Sequence, residues 1–241
     1  VYGAAALAMI GAPDPISDTA SRGRLLVDAW DGVRYTLRNP TLRGLGLAIS
    51  LLNLSGGMVT IVVPLVVIDR LGAPELAVGL AFAASGVAGM VAALLAGRLD
   101  TRGREWHLLV LPMGGVAVAD LLLLAGAGAT EIVGGLVFVV LGLALGGALN
   151  GPMDIGLFTI RQRRTDPAWM GRAFAVSMAM NFVGYPIGAA LAGLIAASSI
   201  EAAIIVGAAA CLVAAVVAAT LIPRRVEPGT VAAGAPVGAD R

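Results

Sequence analysis

Six stretches of this chain, residues 42–68, 74–97, 108–127, 132–158, 173–197 and 202–222, are apolar almost throughout. Crossing ~30 Å of hydrocarbon takes about 20 residues at helical rise, so each is long enough to span a bilayer. Inside lipid the backbone must satisfy its own hydrogen bonds, which runs of this length do as helices and not as the ~10-residue alternating strands of a barrel. The chain is 59% hydrophobic and 13% charged, against roughly 25% charged for a soluble domain. An all-α integral membrane protein with a six-helix bundle follows.

The flanks read differently. Residues 1–12 are apolar but too short to span, and no basic segment precedes them as in a signal peptide, so they read as the end of a preceding transmembrane helix. Residues 13–41 form a loop that contains an amphipathic helix over 21–38. Leu26, Trp30, Val33 and Leu37 recur there at helical spacing, Arg22, Arg24 and Asp28 take other faces, and Asn39-Pro40 stops the helix. Such a helix either lies along the membrane surface or packs on neighbouring loops. The bundle proper is expected over 42–222, and 223–241 is expected to be a cytoplasmic, disordered tail.

Basic residues set the orientation. All 16 are arginine, and only Arg70 falls on the side opposite the rest. Because cytoplasmic loops retain Arg, both ends of the unit are expected in the cytoplasm and the protein in the cell membrane, plasma or inner. Trp30, Trp106 and Trp169 fall near the same interface. Arg161, Arg163, Arg164 and Arg172 read as topology determinants, with Asp166-Pro167 able to start a short helix among them.

Enzymatic chemistry finds no footing. His107 is the single histidine and has no second His or Cys nearby, which removes metal sites and His-based triads. An intramembrane serine protease needs a Ser in a glycine-flanked turn and a His deep in another helix. Ala84-Ser85-Gly86 has the Ser and no usable His, and Gly86 and Gly89 follow no strand, so no dinucleotide fingerprint exists. Cys211, inside an apolar run, reads as a small buried hydrophobe. No enzyme, cofactor, metal or nucleic-acid partner is expected.

Polar groups in apolar helices are costly and mark substrate paths. Asn53, Gly57, Thr60 and Pro64 share one face of the first span, Gly142, Gly146, Asn150 and Asp154 recur every fourth residue in the fourth, and Ser177, Asn181, Tyr185 and Gly188 form a face of the fifth. The glycine spacings serve close helix packing. Asn53, Thr60, Asn150, Asn181 and Tyr185 are the candidates for lining a cavity, since midplane sites between helices are where transporters bind substrate. Asp120, with no partner among its own helical neighbours, is protonated or faces another helix, and proton relay, reach to the outer interface or a bond to a neighbour would each explain it. Asp154 either carries protons or pairs with a loop arginine.

The turn over 96–104 contains Gly97, Asp100, Arg102, Gly103 and Arg104. It resembles the signature of the major facilitator superfamily, a Gly, an Asp and then basic-x-Gly-basic between the second and third helices of each half. Gly97 stands three residues before Asp100 where four is usual, and Thr101 replaces a basic residue. Residues 28–40 resemble the end of that family's central loop. Residues 159–172, 173–177 and 181–188 resemble the tenth-to-eleventh helix region of the enterobactin-exporter-like, drug-efflux branch. The resemblance implies helices seven to twelve of a twelve-helix fold, built as two inverted three-helix repeats, with the motif acting as a cytoplasmic gate or latch. It further implies alternating-access export of a siderophore or drug-like molecule coupled to protons, with a missing N-terminal six-helix half and the lipid bilayer as partners. The seventh, eighth, tenth and eleventh helices would line the cavity, in keeping with Asn53, Asn150 and Asn181, and the ninth, with Asp120, would be peripheral. The alternatives are a non-transporting six-helix fragment that only associates with membrane subunits and, last, a six-span enzyme.

Overall fold

The computed structural model describes residues 22–98 and 102–224, so the segment at 1–12, most of the tail, and Asp100 of the turn motif lie outside the described residues. Every element among the described residues is helical. In chain order they are α1 (Arg22–Arg38), α2 (Pro40–Pro64, continued by a π-helical stretch Leu65–Arg70), α3 (Glu75–Ala96), α4 (Glu105–Ala127), α5 (Ile132–Arg163), a 3-10 turn (Pro167–Trp169), α6 (Met170–Ala196) and α7 (Ile200–Leu221). The six helices α2 to α7 are long and apolar enough to cross a membrane.

Local chemistry fixes the helix starts. Asn39 caps α2, its Oδ1 accepting from the N–H groups of Thr41 at 3.0 Å and Leu42 at 3.2 Å. Pro40 takes the first helical position, where its missing N–H costs nothing. Ser199 caps α7 through the Ala202 N–H, and Asp166 caps the 3-10 turn through that of Ala168. Between α2 and α3 the chain reverses at Gly72, whose φ of +64° suits a residue without a Cβ. The sequence ended the fourth span at Phe158, but α5 continues through Arg161 to Arg163. Basic side chains are favourable in a last helical turn, and nothing stops the helix before Thr165-Asp166-Pro167.

Packing pairs the helices in a symmetric pattern. Helix α2 packs on α6 and α7, α5 packs on α3 and α4, and α4 meets α7. Exchanging α2 with α5, α3 with α6 and α4 with α7 maps this set of contacts onto itself. Each triplet crosses the bundle three times, so the second enters from the opposite side, which is the inverted-repeat arrangement. Equivalent glycines allow the equivalent close approaches: a Cβ on Gly57 of α2 would collide with the Tyr185 carbonyl on α6, and one on Gly147 of α5 with the Ser85 carbonyl on α3. Two apolar cores follow, one around Leu42, Leu45, Leu109 and Met113 towards the arginine-rich end, the other around Met58, Val62, Leu123 and Val139.

Candidate functional site: a polar line across α2, α5 and α6

Close packing of α2 on α6 brings two amides together. Asn53 Nδ2 donates to the Asn181 backbone carbonyl at 2.9 Å. The orientation of the Asn181 amide that satisfies its neighbours has its nitrogen donating to the Ser177 carbonyl at 3.0 Å and its oxygen accepting from Arg161 Nη2 at 2.8 Å. Arg161 is fully buried. Its guanidinium lies over the rings of Phe174 and Phe158, at 4.9 and 5.7 Å from their centroids, and Nη1 approaches Met178 Sδ at 3.2 Å. Its Nε finds no acceptor, nor does the buried Ser177 hydroxyl find a partner. Among the described residues no carboxylate is within ion-pair distance of this cation. Aromatic faces take part of that role. Asp154, two turns earlier on α5, is exposed and close enough for its charge to act on Arg161.

Further along the same seam, Thr60 and Tyr185 share a hydrogen bond of 2.7 Å, and Thr60 also donates to the Gly56 carbonyl at 3.0 Å. Both side chains are exposed. The α2 and α6 stripes therefore meet: Gly57, Gly184 and Gly188 press the two backbones together, while the polar side chains occupy the seam and its rim. The α5 stripe, expected as one face, is divided. Gly142 abuts the Ala119 carbonyl of α4, with 2.7 Å to an added Cβ, while Asn150 and Asp154 are exposed.

Asp120 belongs to a different place. It is 4% exposed at the junction of α2, α4 and α7, where Ser55 Oγ donates to its Oδ2 at 2.8 Å and the Cys211 thiol lies 3.7 Å from the same oxygen. Met58, Val62, Leu123 and Ile204 surround it. The acid does face other helices, and Cys211 is buried beside it.

The turn motif is described in part. Gly97 follows the last residue of α3, and Gly103 adopts φ +76°, with Arg102 and Arg104 exposed on either side. The expected latch rests on Asp100, outside the described residues. Nearby, the clustered arginines have distinct contacts. Arg163 pairs with Glu105, and Arg172 pairs with Asp28 at 3.2 Å. Arg164 donates to Thr41 Oγ1 at 3.3 Å and its carbonyl accepts from Asn39 Nδ2 at 3.0 Å. Burial pulls the Arg164 guanidinium below its ordinary value, and the Glu105 charge opposes that.

Helix α1 packs on the start of α6 through Asp28 and Gly32, while Tyr35 stacks on Trp169 with ring centroids 5.1 Å apart. Of the two placements left open for it, packing on neighbouring segments holds for this face, and Val27, Trp30 and Leu37 stay exposed on the other. At the far end Arg70 pairs with Glu201 at 3.0 Å.

Arg161 is the site residue that sequence reasoning missed, because it was read with its loop neighbours. A usable signal was present, since Phe158 and Asp154 precede it by three and seven residues and so share its helix face.

The model of the Major Facilitator Superfamily matches residues 45–238. The Uncharacterized MFS-type transporter y4rN of Sinorhizobium fredii (strain NBRC 101917 / NGR234) is 36% identical over 206 residues, covering 85% of this chain and 49% of the relative. The chain thus spans about half the length of the curated relative it matches. No solved structure matches.

Proposed function

The chain belongs to the major facilitator superfamily, and we propose that it acts as the C-terminal half, helices seven to twelve, of a proton-coupled exporter of small siderophore or drug-like molecules. The observation that carries this reading is the polar line from Asn53 through Asn181 to Arg161, with Asp154 and Asn150 exposed beside it. Such groups are expensive in a membrane bundle, and these lie on helices drawn from both triplets, at the kind of repeat interface where transporters bind substrate. The exposure of Thr60, Tyr185, Asn150 and Asp154 favours a further helical half as the opposite wall. In this reading Thr60, Tyr185 and Asn150 contact substrate, and Asn53 with the buried Asn181, whose amide is taken up by Ser177 and Arg161, holds the seam behind them. Asp154 is the proton carrier, because its carboxylate reaches solvent and a buried cation answers its charge. The Asp120 carboxylate, held by Ser55, serves the packing of α2, α4 and α7. The arginine-rich end faces the cytoplasm of a cell membrane, in line with 15 of 16 arginines on that side.

The test is reconstitution of the complete protein in vesicles, with candidate siderophores and drug-like cations followed in the presence and absence of a proton gradient. Export that stops when the gradient is collapsed is the expected result. Flux indifferent to the gradient overturns the coupling, and no flux of any candidate leaves the reading of a purely associating membrane subunit.

A further inference from the structure

The arginine-rich end holds a cavity that the transport reading does not use. The start of α4, the end of α5 and the residues that follow α7 border an open-sided space of about 350 Å³ lined by Glu105, Trp106, Arg163, Arg164 and Arg224. Among the described residues that line it, three are arginines and one is an acid. Glu105 pairs with Arg163 and its charge also acts on Arg164, so among the described residues a single acid serves two cations, while Arg224 lies over an aromatic ring. That ring is held in place: Trp106 is 7% exposed, its indole N–H donates to the Ile222 carbonyl at 3.0 Å, and Arg224 lies over it at 4.3 Å from the centroid. The Arg163 side chain is 54% exposed and can turn towards a ligand without unpacking the bundle.

Guanidiniums present planar forks of N–H donors that match the oxygens of a phosphate, and their excess positive charge here selects an anion. The cavity opens among the ends of three membrane-spanning helices. A Trp forms its floor, as is common at the depth of lipid headgroups. Leu111 on α4 and Leu221 on α7 are exposed, offering apolar surface on two of the helices that frame it. We propose that this cavity binds the phosphate headgroup of an anionic phospholipid, with Arg163, Arg164 and Arg224 as the anion ligands and Trp106 as the floor. Basic pockets between spanning helices are a general mode of headgroup recognition. The proposal stands apart from the transport reading, because lipid retention is measured without substrate or gradient.

Native mass spectrometry of the complete protein in detergent tests it, with phosphatidylglycerol, cardiolipin or phosphatidylcholine added in turn and inorganic phosphate as competitor. The expected result is retention of the two anionic lipids at least about tenfold above phosphatidylcholine, falling roughly fivefold for each of Arg163→Gln, Arg164→Gln and Arg224→Gln. Arg224→Gln is the variant least able to disturb folding, since Arg224 lies beyond α7. Arg43→Gln, exposed on α2 at the same end, leaves retention unchanged. Equal retention of charged and zwitterionic lipid, or full retention by the Arg224 and Arg163 variants, overturns the site. Displacement of the lipid by millimolar phosphate overturns the lipid assignment in favour of a soluble anion.

Discussion

Asp120 and Asp154 are both acids within long apolar helices, yet their surroundings are opposite. Asp120 is enclosed by three helices, and its Oδ2 accepts from Ser55 and the Cys211 thiol, so its partners lie inside the bundle. Asp154 is exposed, has no hydrogen bond or ion pair among the described residues, and acts through space on the buried Arg161. A polar group with its partners inside the packing reports on how helices are held, whereas one left accessible near a buried cation is free to change state during a cycle. The same contrast divides the glycines, which press backbones together, from Thr60 and Tyr185 at the rim.

The largest expected effect separates the two acids by transport. Asp154→Asn removes the titratable group assigned to the proton path, so gradient-driven flux of the complete protein should fall at least about tenfold. Its melting temperature should stay within about 2 °C, because an exposed side chain contributes little to packing. Flux and coupling equal to the parent would remove Asp154 from the proton path. Arg161→Gln combined with it should show coupling between the two changes, since their charges act on each other.

The next effect falls on stability. Asp120→Ala leaves the buried Ser55 hydroxyl without its acceptor, at a cost of about 1–3 kcal/mol, or roughly 2–4 °C of melting temperature for each kcal/mol. Asp120→Asn keeps an acceptor oxygen and should recover most of that loss. Flux per folded molecule should match the parent in both. If instead Asp120→Asn is fully stable and uncoupled from protons, the two acids exchange roles and the comparison reverses.

The sequence carried the architecture because apolar length and arginine placement are local properties: six spans, the Asn39-Pro40 boundary and the short turn at Pro167 are each visible within a few neighbouring residues. What it did not carry needed a second helix. Asp120 has no partner on α4, and its partner Ser55 is 65 residues away on α2. The α5 stripe divides because a step of four residues overshoots a full helical turn by about 40°, so three steps from Gly142 to Asp154 swing the face by about 120°. Arg161 was hidden by its company. Read among Arg163, Arg164 and Arg172 it counts as loop charge, and only the continuation of α5 past Phe158 turns it inward, between two aromatic rings and against Asn181.

The smallest effect tests the rim itself. Tyr185→Phe deletes one side of the Thr60 bond at the α2–α6 seam, where both side chains are exposed. Interhelical hydrogen bonds in membranes average about 0.6 kcal/mol, so stability should fall by that much or less. Thr60 keeps its bond to the Gly56 carbonyl, which limits the loss further. If the pair lines a substrate path, half-saturation for transport should shift by about threefold, in the direction set by whether the substrate used the hydroxyl. Thr60→Val should reproduce the shift, and the double variant should add little to either change, because both remove the same bond. Additive effects on transport would mean that each hydroxyl meets substrate separately. No effect on transport from either variant would assign the rim, like Asp120, to packing.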